Sequence, residues 1–325
     1  MGSYETLTGV KMKKVVVFSS IAPEILEKLQ KTYHTVVAHA QKDEQKFLQE
    51  IEDADALIGA SVVLNEKNLK SAKQLKGIST ISAGYDNYDI DYLRERKIRL
   101  THTPHVLTET TADLAFGLIM SAARRIPELD QWTKTGQWKK AVELDHFGQD
   151  IFGKTLGIIG LGNIGSAIAR RGFYGFNMNI VYHNRNPKPE LAEPLNAQYC
   201  SLDQLLETSD FIVVAVSLNA ASKALIGKRE LNKMQKHAIL INTARGSVVD
   251  QHALYEVLKN KEIFAAGLDV YEEEPLSCSE LFELDNVVTL PHIGSATQNT
   301  RNKMALLAYQ NLEKILDDSP CSNEV

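Results

Sequence analysis

Residues 154–185, KTLGIIGLGNIGSAIARRGFYGFNMNIVYHNR, decide the fold. A short apolar run over 156–159 leads into Gly160-Leu161-Gly162-Asn163-Ile164-Gly165. Ile164, Ile168 and Phe173 then sit among the apolar positions of a helical pattern, and a second apolar run over 180–182 closes the unit. Strand, glycine-rich turn, helix and strand in this order are the context in which G-x-G-x-x-G becomes informative. Gly160 permits a tight turn, Gly162 leaves out the Cβ that would hold a pyrophosphate off the backbone, and Gly165 lets helix and strand pack closely. The helix N-terminus then presents free N–H groups and the positive end of its dipole to the phosphates. The turn therefore predicts a dinucleotide site, with residues 160–165 at the cofactor.

Downstream, residues 187–194 read as a polar, proline-bearing loop. A helix over 201–209 precedes a buried strand over 211–216, and 239–242, 265–269 and 287–290 add strands, with helical patterns over 228–234 and 252–259 between them. An amphipathic helix over 295–316 carries Ala305, Leu306, Ala308, Tyr309, Leu312 and Ile315 as its apolar stripe, and the residues after Asp317 are expected to fray. Upstream, strands over 13–19, 35–38, 56–60, 78–81 and 98–101 alternate with helices over 23–31, 43–51, 66–71 and 90–96. That alternation implies a second parallel sheet covered on both faces, without a glycine-rich phosphate turn. It does carry Ser82-Ala83-Gly84-Tyr85-Asp86-Asn87 just past a strand's carboxyl end, where open α/β sheets place ligands. Residues 108–126 form a long helix apolar on more than one face, with Thr108 as its N-cap, and Pro127 ends or kinks it. Residues 130–150, with Trp132, Trp138 and Phe147, read as an irregular arm suited to an interface.

The fold class expected is α/β, with two Rossmann-like or flavodoxin-like doubly wound parallel-sheet domains and a cleft between them. Residues 1–103 plus 297–325 would form a discontinuous substrate-binding domain, and residues 104–296 the cofactor domain. A chain of 325 residues suits two domains on the usual prior of about 150 residues each. Hydrophobic content of 44%, charged content of 24% and a net charge of -5 are ordinary for a globular protein, and the absence of a basic block argues against nucleic acid as partner. Cys200, Cys278 and Cys321 are far apart and in no metal spacing, so they read as free thiols of a reducing, cytoplasmic compartment, and no metal is expected. No stretch approaches the ~20 apolar residues that span a bilayer. Gly2 and Thr6 match the myristoylation pattern M-G-x-x-x-S/T, but the pattern is short and common, and lipidation is not expected.

Three polar residues follow predicted strands of the cofactor domain: Arg245 in INTARG, Glu274 in LDVYEEEP and His292 in LPHIGS. Singly each has a bland reading, as a surface ion pair, a solvated acidic loop and a turn cap. Together, at the sheet edge that works in a doubly wound fold, they point to one site.

Over residues 15–316 the chain resembles the D-isomer-specific 2-hydroxyacid dehydrogenases, within them the glyoxylate/hydroxypyruvate reductase branch that includes bacterial 2-ketogluconate reductases. GLGNIG, INTARGSVVD, AAGLDVYEEEPL and LPHIGSAT carry the resemblance, and TISAGYDNYDID and VLTETTADLA support it. The resemblance implies that His292 protonates the substrate carbonyl oxygen, that Glu274 holds and charges its imidazole, and that Arg245 binds the 2-oxo oxygen and the carboxylate. It further implies that backbone N–H groups of Ala83 and Gly84 bind that carboxylate, and that Asp269 takes the nicotinamide carboxamide. Ser217, Thr243 and Gly294 would line the cofactor, and Ser295 would reach substrate hydroxyls. A homodimer through the cofactor domains, with the 108–150 arm crossing between them, is also implied.

NAD-specific members place an Asp or Glu at the end of the second strand to bind the ribose 2′-OH. This chain has His183-Asn184-Arg185 there and Lys188 nearby. A carboxylate would repel a 2′-phosphate, whereas Asn184 can donate to it and Arg185 can pair with it, so NADP(H) is expected ahead of NAD(H). The reaction implied is NADPH-dependent reduction of glyoxylate, hydroxypyruvate or 2-ketogluconate to the (R)-2-hydroxy acid. The alternative is a dinucleotide-sensing protein like the corepressors that share this fold and triad.

Overall fold

Short runs of aliphatic side chains buried on both faces need helices above and below them, which is the economy of a parallel sheet. In a computed structural model, residues 12–325 are described. They divide into two compact units, the chain up to Leu107 together with Ala296–Val325, and Thr108–Ser295. The Gly2–Thr6 pattern lies outside the described residues.

The first unit runs β1 (Lys14–Val17), α1 (Pro23–Thr32), β2 (His34–Val37), α2 (Glu44–Glu50), β3 (Ala56–Gly59), α3 (Glu66–Leu69), β4 (Gly77–Thr80), α4 (Ile90–Glu95) and β5 (Arg99–Thr101). Its sheet has the order β2-β1-β3-β4-β5 with every pairing parallel, the flavodoxin-like arrangement. Pro23 opens α1, where a missing N–H costs nothing, and Asp43 and Asp89 cap α2 and α4 through side-chain bonds to the Lys46 and Tyr92 amides.

The second unit begins with α5 (Thr108–Ala123) and α6 (Ile126–Lys134), then follows β6 (Thr155–Ile159), α7 (Asn163–Phe176), β7 (Asn179–His183), α8 (Pro189–Ala192), β8 (Gln198–Tyr199), α9 (Leu202–Thr208), β9 (Phe211–Val214), α10 (Lys228–Leu231), β10 (Ile239–Asn242), α11 (Gln251–Lys259), β11 (Ala265–Leu268) and β12 (Val287–Thr289). The order is β12-β11-β10-β9-β6-β7-β8, again all parallel, so the order reverses at β6, the strand that feeds the glycine turn. That reversal is the topological switch point where such sheets bind ligands. The chain then returns to the first unit as α12 (Gln298–Leu316), capped by Thr297 and packed on β3, β4 and α1. Two parallel sheets covered by helices are as the sequence predicts, with β8, α6 and α8 as additions.

Several local expectations are corrected. The helix from Thr108 does not run to Pro127: it stops at Ala123, Arg125 turns left-handed at φ +54°, and Pro127 stands in the first turn of α6. Proline here starts a helix instead of kinking one, and part of the presumed irregular arm is helical. Thr108 is already inside α5 rather than capping it. The proline-bearing loop holds the short α8 and leads to β8, elements too brief to leave a periodic signal. On α12, Leu306 is exposed, while Met304 and Asn311 lie in the buried face. The residues after Asp317 are not loose either: Val325 N–H donates to Leu100 O at 2.9 Å and Glu324 bridges to Thr101 on β5. Among the described residues no helix is long and apolar enough to cross a membrane, and no cluster of His, Cys, Asp and Glu could hold a metal.

Candidate active site

The turn between β6 and α7 has the shape its glycines predict. Gly160 has φ +102°, and a Cβ there would lie 2.7 Å from the Ala215 carbonyl oxygen. A Cβ on Gly165 would lie 2.1 Å from Gly160 O, so the helix seats on the turn only without a side chain. Gly162 is different: a Cβ there meets nothing within 4 Å, so what its absence keeps open is space in front of the turn. No side chain caps the first turn of α7, which leaves its dipole end for an anion. Past the carboxyl end of β10, two strands from β6 in the same sheet, the Thr243 hydroxyl is buried with no partner. An open cradle, an uncapped helix N-terminus and an orphaned hydroxyl fit a dinucleotide with its pyrophosphate on the turn.

The end of β7 is built from several expected residues. Asn184 accepts the Leu161 N–H at 2.6 Å and donates back to Leu161 O at 3.2 Å, which ties the turn to the strand end. The Leu161 amide is thus bonded inside the chain, and Asn184 retains one N–H for a ligand. His183 donates from Nδ1 to Cys200 O at 2.9 Å and stacks on Tyr199. Tyr199 in turn donates to Asn184 O at 3.1 Å. The sequence reading missed Tyr199, since β8 is two residues long and carries no pattern. Arg185 is exposed, and among the described residues no carboxylate pairs with it. Ser217 is also exposed, with its carbonyl taken by Ser222.

Arg245 follows β10 in a turn shaped by the buried Asn242, which accepts from Ala244 N–H at 3.1 Å and donates to Arg245 O at 3.0 Å. Glu274 ends the loop after β11, and its Oε1 accepts the Tyr271 N–H at 2.9 Å. His292 follows β12 in the left-handed region, at φ +54°, a conformation histidine tolerates better than most residues. Its Nδ1 lies 2.5 Å from Glu274 Oε2. An ionised carboxylate only accepts, so Nδ1 carries the proton and Nε2 is left as the atom that can take or deliver a second one.

Asp269 is 1% exposed and accepts the Ile293 and Gly294 amides on its two oxygens, at 2.7 and 2.8 Å. Gly294 O accepts from Thr111 at 3.0 Å, so the loop carrying His292 is clamped on both sides. This clamping by Asp269, and the fixing of Gly294 inside the chain, are invisible in sequence. Ser295 is half-buried at the end of this unit, and Ala83 and Gly84 are half-buried past β4 in the other.

Burial pushes the Asp269 carboxyl up, with the two amides and the charge of His292 pulling against it. Tyr271 is pushed up to about 12 by burial and by Asp269, so its hydroxyl stays protonated and donates to Leu290 O. Burial also raises Glu274, but the His292 hydrogen bond, the Tyr271 amide and the charges of His292 and Arg245 outweigh it and hold the carboxyl below its usual range. A depressed carboxyl stabilises the fold above the unfolded Glu value, and this contribution is lost as pH falls through the folded value.

An imidazole charged by a carboxylate, beside a guanidinium, can bind an anionic carbonyl compound, polarise its oxygen and protonate it.

Residues 116–294 match the family model described as D-isomer specific 2-hydroxyacid dehydrogenase, NAD binding domain. The chain is 44% identical over 310 residues to glyoxylate/hydroxypyruvate reductase B of Enterobacter sp. (strain 638), covering 94% of this chain and 96% of that one. Among solved structures it is similar to the NADPH-dependent glyoxylate/hydroxypyruvate reductase of Sinorhizobium meliloti in complex with NADP and malonate, with TM-score 0.87, 32% identity and 97% of each chain covered. It is also similar to a glyoxylate reductase from Paecilomyes thermophila, with TM-score 0.88, 32% identity, and 97% and 99% covered.

Proposed function

The chain belongs to the D-isomer specific 2-hydroxyacid dehydrogenases, and from that membership we propose that it reduces glyoxylate or hydroxypyruvate, and 2-ketogluconate as a longer substrate, to the (R)-2-hydroxy acid with NADPH. The observation that carries the reading is the 2.5 Å bond between His292 and Glu274 in the same site as Arg245. When bound, NADPH supplies the hydride to the carbonyl carbon. Arg245 would hold the substrate carboxylate and the 2-oxo oxygen by charge-assisted bonds, which draws electron density from the carbon under attack. His292 would deliver its Nε2 proton to that oxygen as it becomes an alkoxide, and Glu274 would stabilise the imidazolium beforehand and fix the ring's direction. Ala83 and Gly84 are assigned to the carboxylate through their amides.

Residues 160–165, Ser217, Thr243, Asp269 and Gly294 are assigned to the cofactor, with His183, Asn184 and Arg185 at its 2′-phosphate. The relatives named above include an NADPH-dependent enzyme, and none is described as a dinucleotide-sensing regulator. A homodimer through the 108–150 arm belongs to the same proposal, supported by the exposed Trp138, Leu144 and Phe147, and a light-scattering mass reads it. A cytoplasmic location is the matching expectation for three free cysteines.

Initial rates with the three acids, under NADPH and NADH in parallel, test the proposal. NADPH should serve better, and Arg185→Ala should raise its KM by about tenfold, the size of one exposed charge-assisted contact, while KM for NADH stays within about twofold. A wild-type preference for NADH would remove the Arg185 assignment. Protein that binds NADPH yet reduces none of the acids would remove the enzymatic reading.

A further inference from the structure

We propose that His102 is a positioning residue that aims the Gly84 amide, and that Asn311 and residues 321–325 hold His102 in place to do so. The inference rests on the assignment of Ala83 and Gly84 to the substrate carboxylate given above. Three successive carbonyls of this loop are tied down. Ser82 O accepts the Thr103 N–H at 2.8 Å, Ala83 O faces His102 Nδ1 at 2.8 Å, and Gly84 O accepts the Ser82 hydroxyl. A trans peptide is planar, with its C=O and N–H pointing opposite ways. Fixing the carbonyls of Ser82, Ala83 and Gly84 therefore fixes the N–H groups of Ala83, Gly84 and Tyr85, each opposite its own carbonyl. Amides held in this way can meet a carboxylate without first having to reorient.

His102 governs the middle plane, the one whose N–H belongs to Gly84. Because a carbonyl only accepts, the proton must sit on Nδ1, which fixes the tautomer. The ring is also met edge-on by Tyr85 at 5.3 Å. The backbone of His102 is gripped from both ends: its N–H donates to Asn323 O at 3.0 Å, and its carbonyl accepts from Asn311 Nδ2 at 2.9 Å. Asn311 is 1% exposed on a helix face whose other buried residues, Thr300 apart, are apolar, and its Oδ1 accepts from Asn323 Nδ2 at 3.0 Å and from Cys321 Sγ. Glu324 pairs with Arg99 at 2.8 Å, which secures the segment along β5. Covering a sheet edge alone needs backbone pairing and no buried amide side chain. The buried Asn311 instead joins this segment to the residue that holds the middle carbonyl of the loop.

The test compares His102→Leu, which has no donor, with His102→Asn, whose amide N–H can stand near the position of Nδ1. His102→Leu should raise KM for hydroxypyruvate and Kd for malonate by roughly tenfold, as expected when one amide no longer meets a carboxylate well. The kcat and the Kd for NADPH, followed by nicotinamide fluorescence, should stay within about twofold. His102→Asn should recover most of the loss, and Asn323→Ala should give a smaller rise in the same two constants. Unchanged KM and malonate Kd in His102→Leu would overturn the inference. So would a fall in kcat, NADPH binding and Tm together that His102→Asn fails to rescue, since this is what a merely structural role produces. If the wild type turns over no 2-oxo acid but His102→Leu still weakens malonate binding, the function fails and the loop inference stands.

Discussion

His292→Asn should lower kcat for 2-oxo acid reduction by roughly 10²–10⁴-fold, the range set by losing a general acid. Asparagine is the informative substitution here because His292 sits at φ +54°. Asn enters the left-handed region readily, whereas Ala would add backbone strain to the chemical loss and blur the two. The Asn amide can donate a hydrogen bond to the substrate oxygen but cannot transfer a proton, so ground-state binding persists while the alkoxide goes unprotonated. KM for the acid and Kd for NADPH should therefore move by no more than about threefold, and the loss should appear in kcat. Stability should change little, because the side chain is nearly half exposed and the loop is held by Asp269 through the Ile293 and Gly294 amides. A His292→Asn protein with kcat within about threefold of wild type would end the acid assignment and leave Arg245 as the main polarising group.

Much of this site was legible in the sequence because it depends on local signals and on one topological rule. The apolar runs at 156–159 and 180–182 and the three glycines between them define β6, α7 and β7 with no outside information. Arg245, Glu274 and His292 could be brought together on paper because each follows a strand, and a doubly wound parallel sheet puts all such ends on one edge. What stayed hidden depends on distant partners. The resemblance gives Asp269 a place at the nicotinamide carboxamide, but only the fold shows its oxygens accepting amides 24 and 25 residues further on. Asn311 interrupts an apolar stripe and looks like a solvent position until the 321–325 segment lies beside it. The ordering of that segment rests on Arg99 and Glu324, which are 225 residues apart, so composition alone suggested fraying.

Gly246→Ala should reduce kcat by at least about 100-fold, through a methyl group that touches no substrate. A Cβ on Gly246 would lie 1.8 Å from the Tyr271 carbonyl carbon, 2.0 Å from its oxygen and 2.3 Å from the Glu272 amide nitrogen. Non-bonded carbon atoms need about 3.5–4 Å, and backbone atoms cannot swing aside as a side-chain tip can. One of the two segments must therefore move by more than about 1 Å. Both carry the chemistry: Arg245 immediately precedes Gly246, and the Tyr271 amide holds Glu274, which holds His292. The segments are also tied by paired bonds between Gln251 and Glu272, so the strain cannot be absorbed locally by either one. Overpacking of this kind typically costs about 1–3 kcal/mol of stability, which a domain with an ordinary margin survives. The protein should thus fold with a lowered Tm, bind NADPH, and fail in turnover with both kcat and KM for the acid affected. Gly175→Ala is the matched control, since a Cβ at that point of α7 meets nothing within 4 Å and alanine favours the helix. Wild-type turnover in Gly175→Ala beside a collapse in Gly246→Ala would assign the loss to the contact between the two loops. Near-normal turnover in Gly246→Ala would mean that the loops adjust independently, and that the relative placement of Arg245 and Glu274 tolerates an ångström of error.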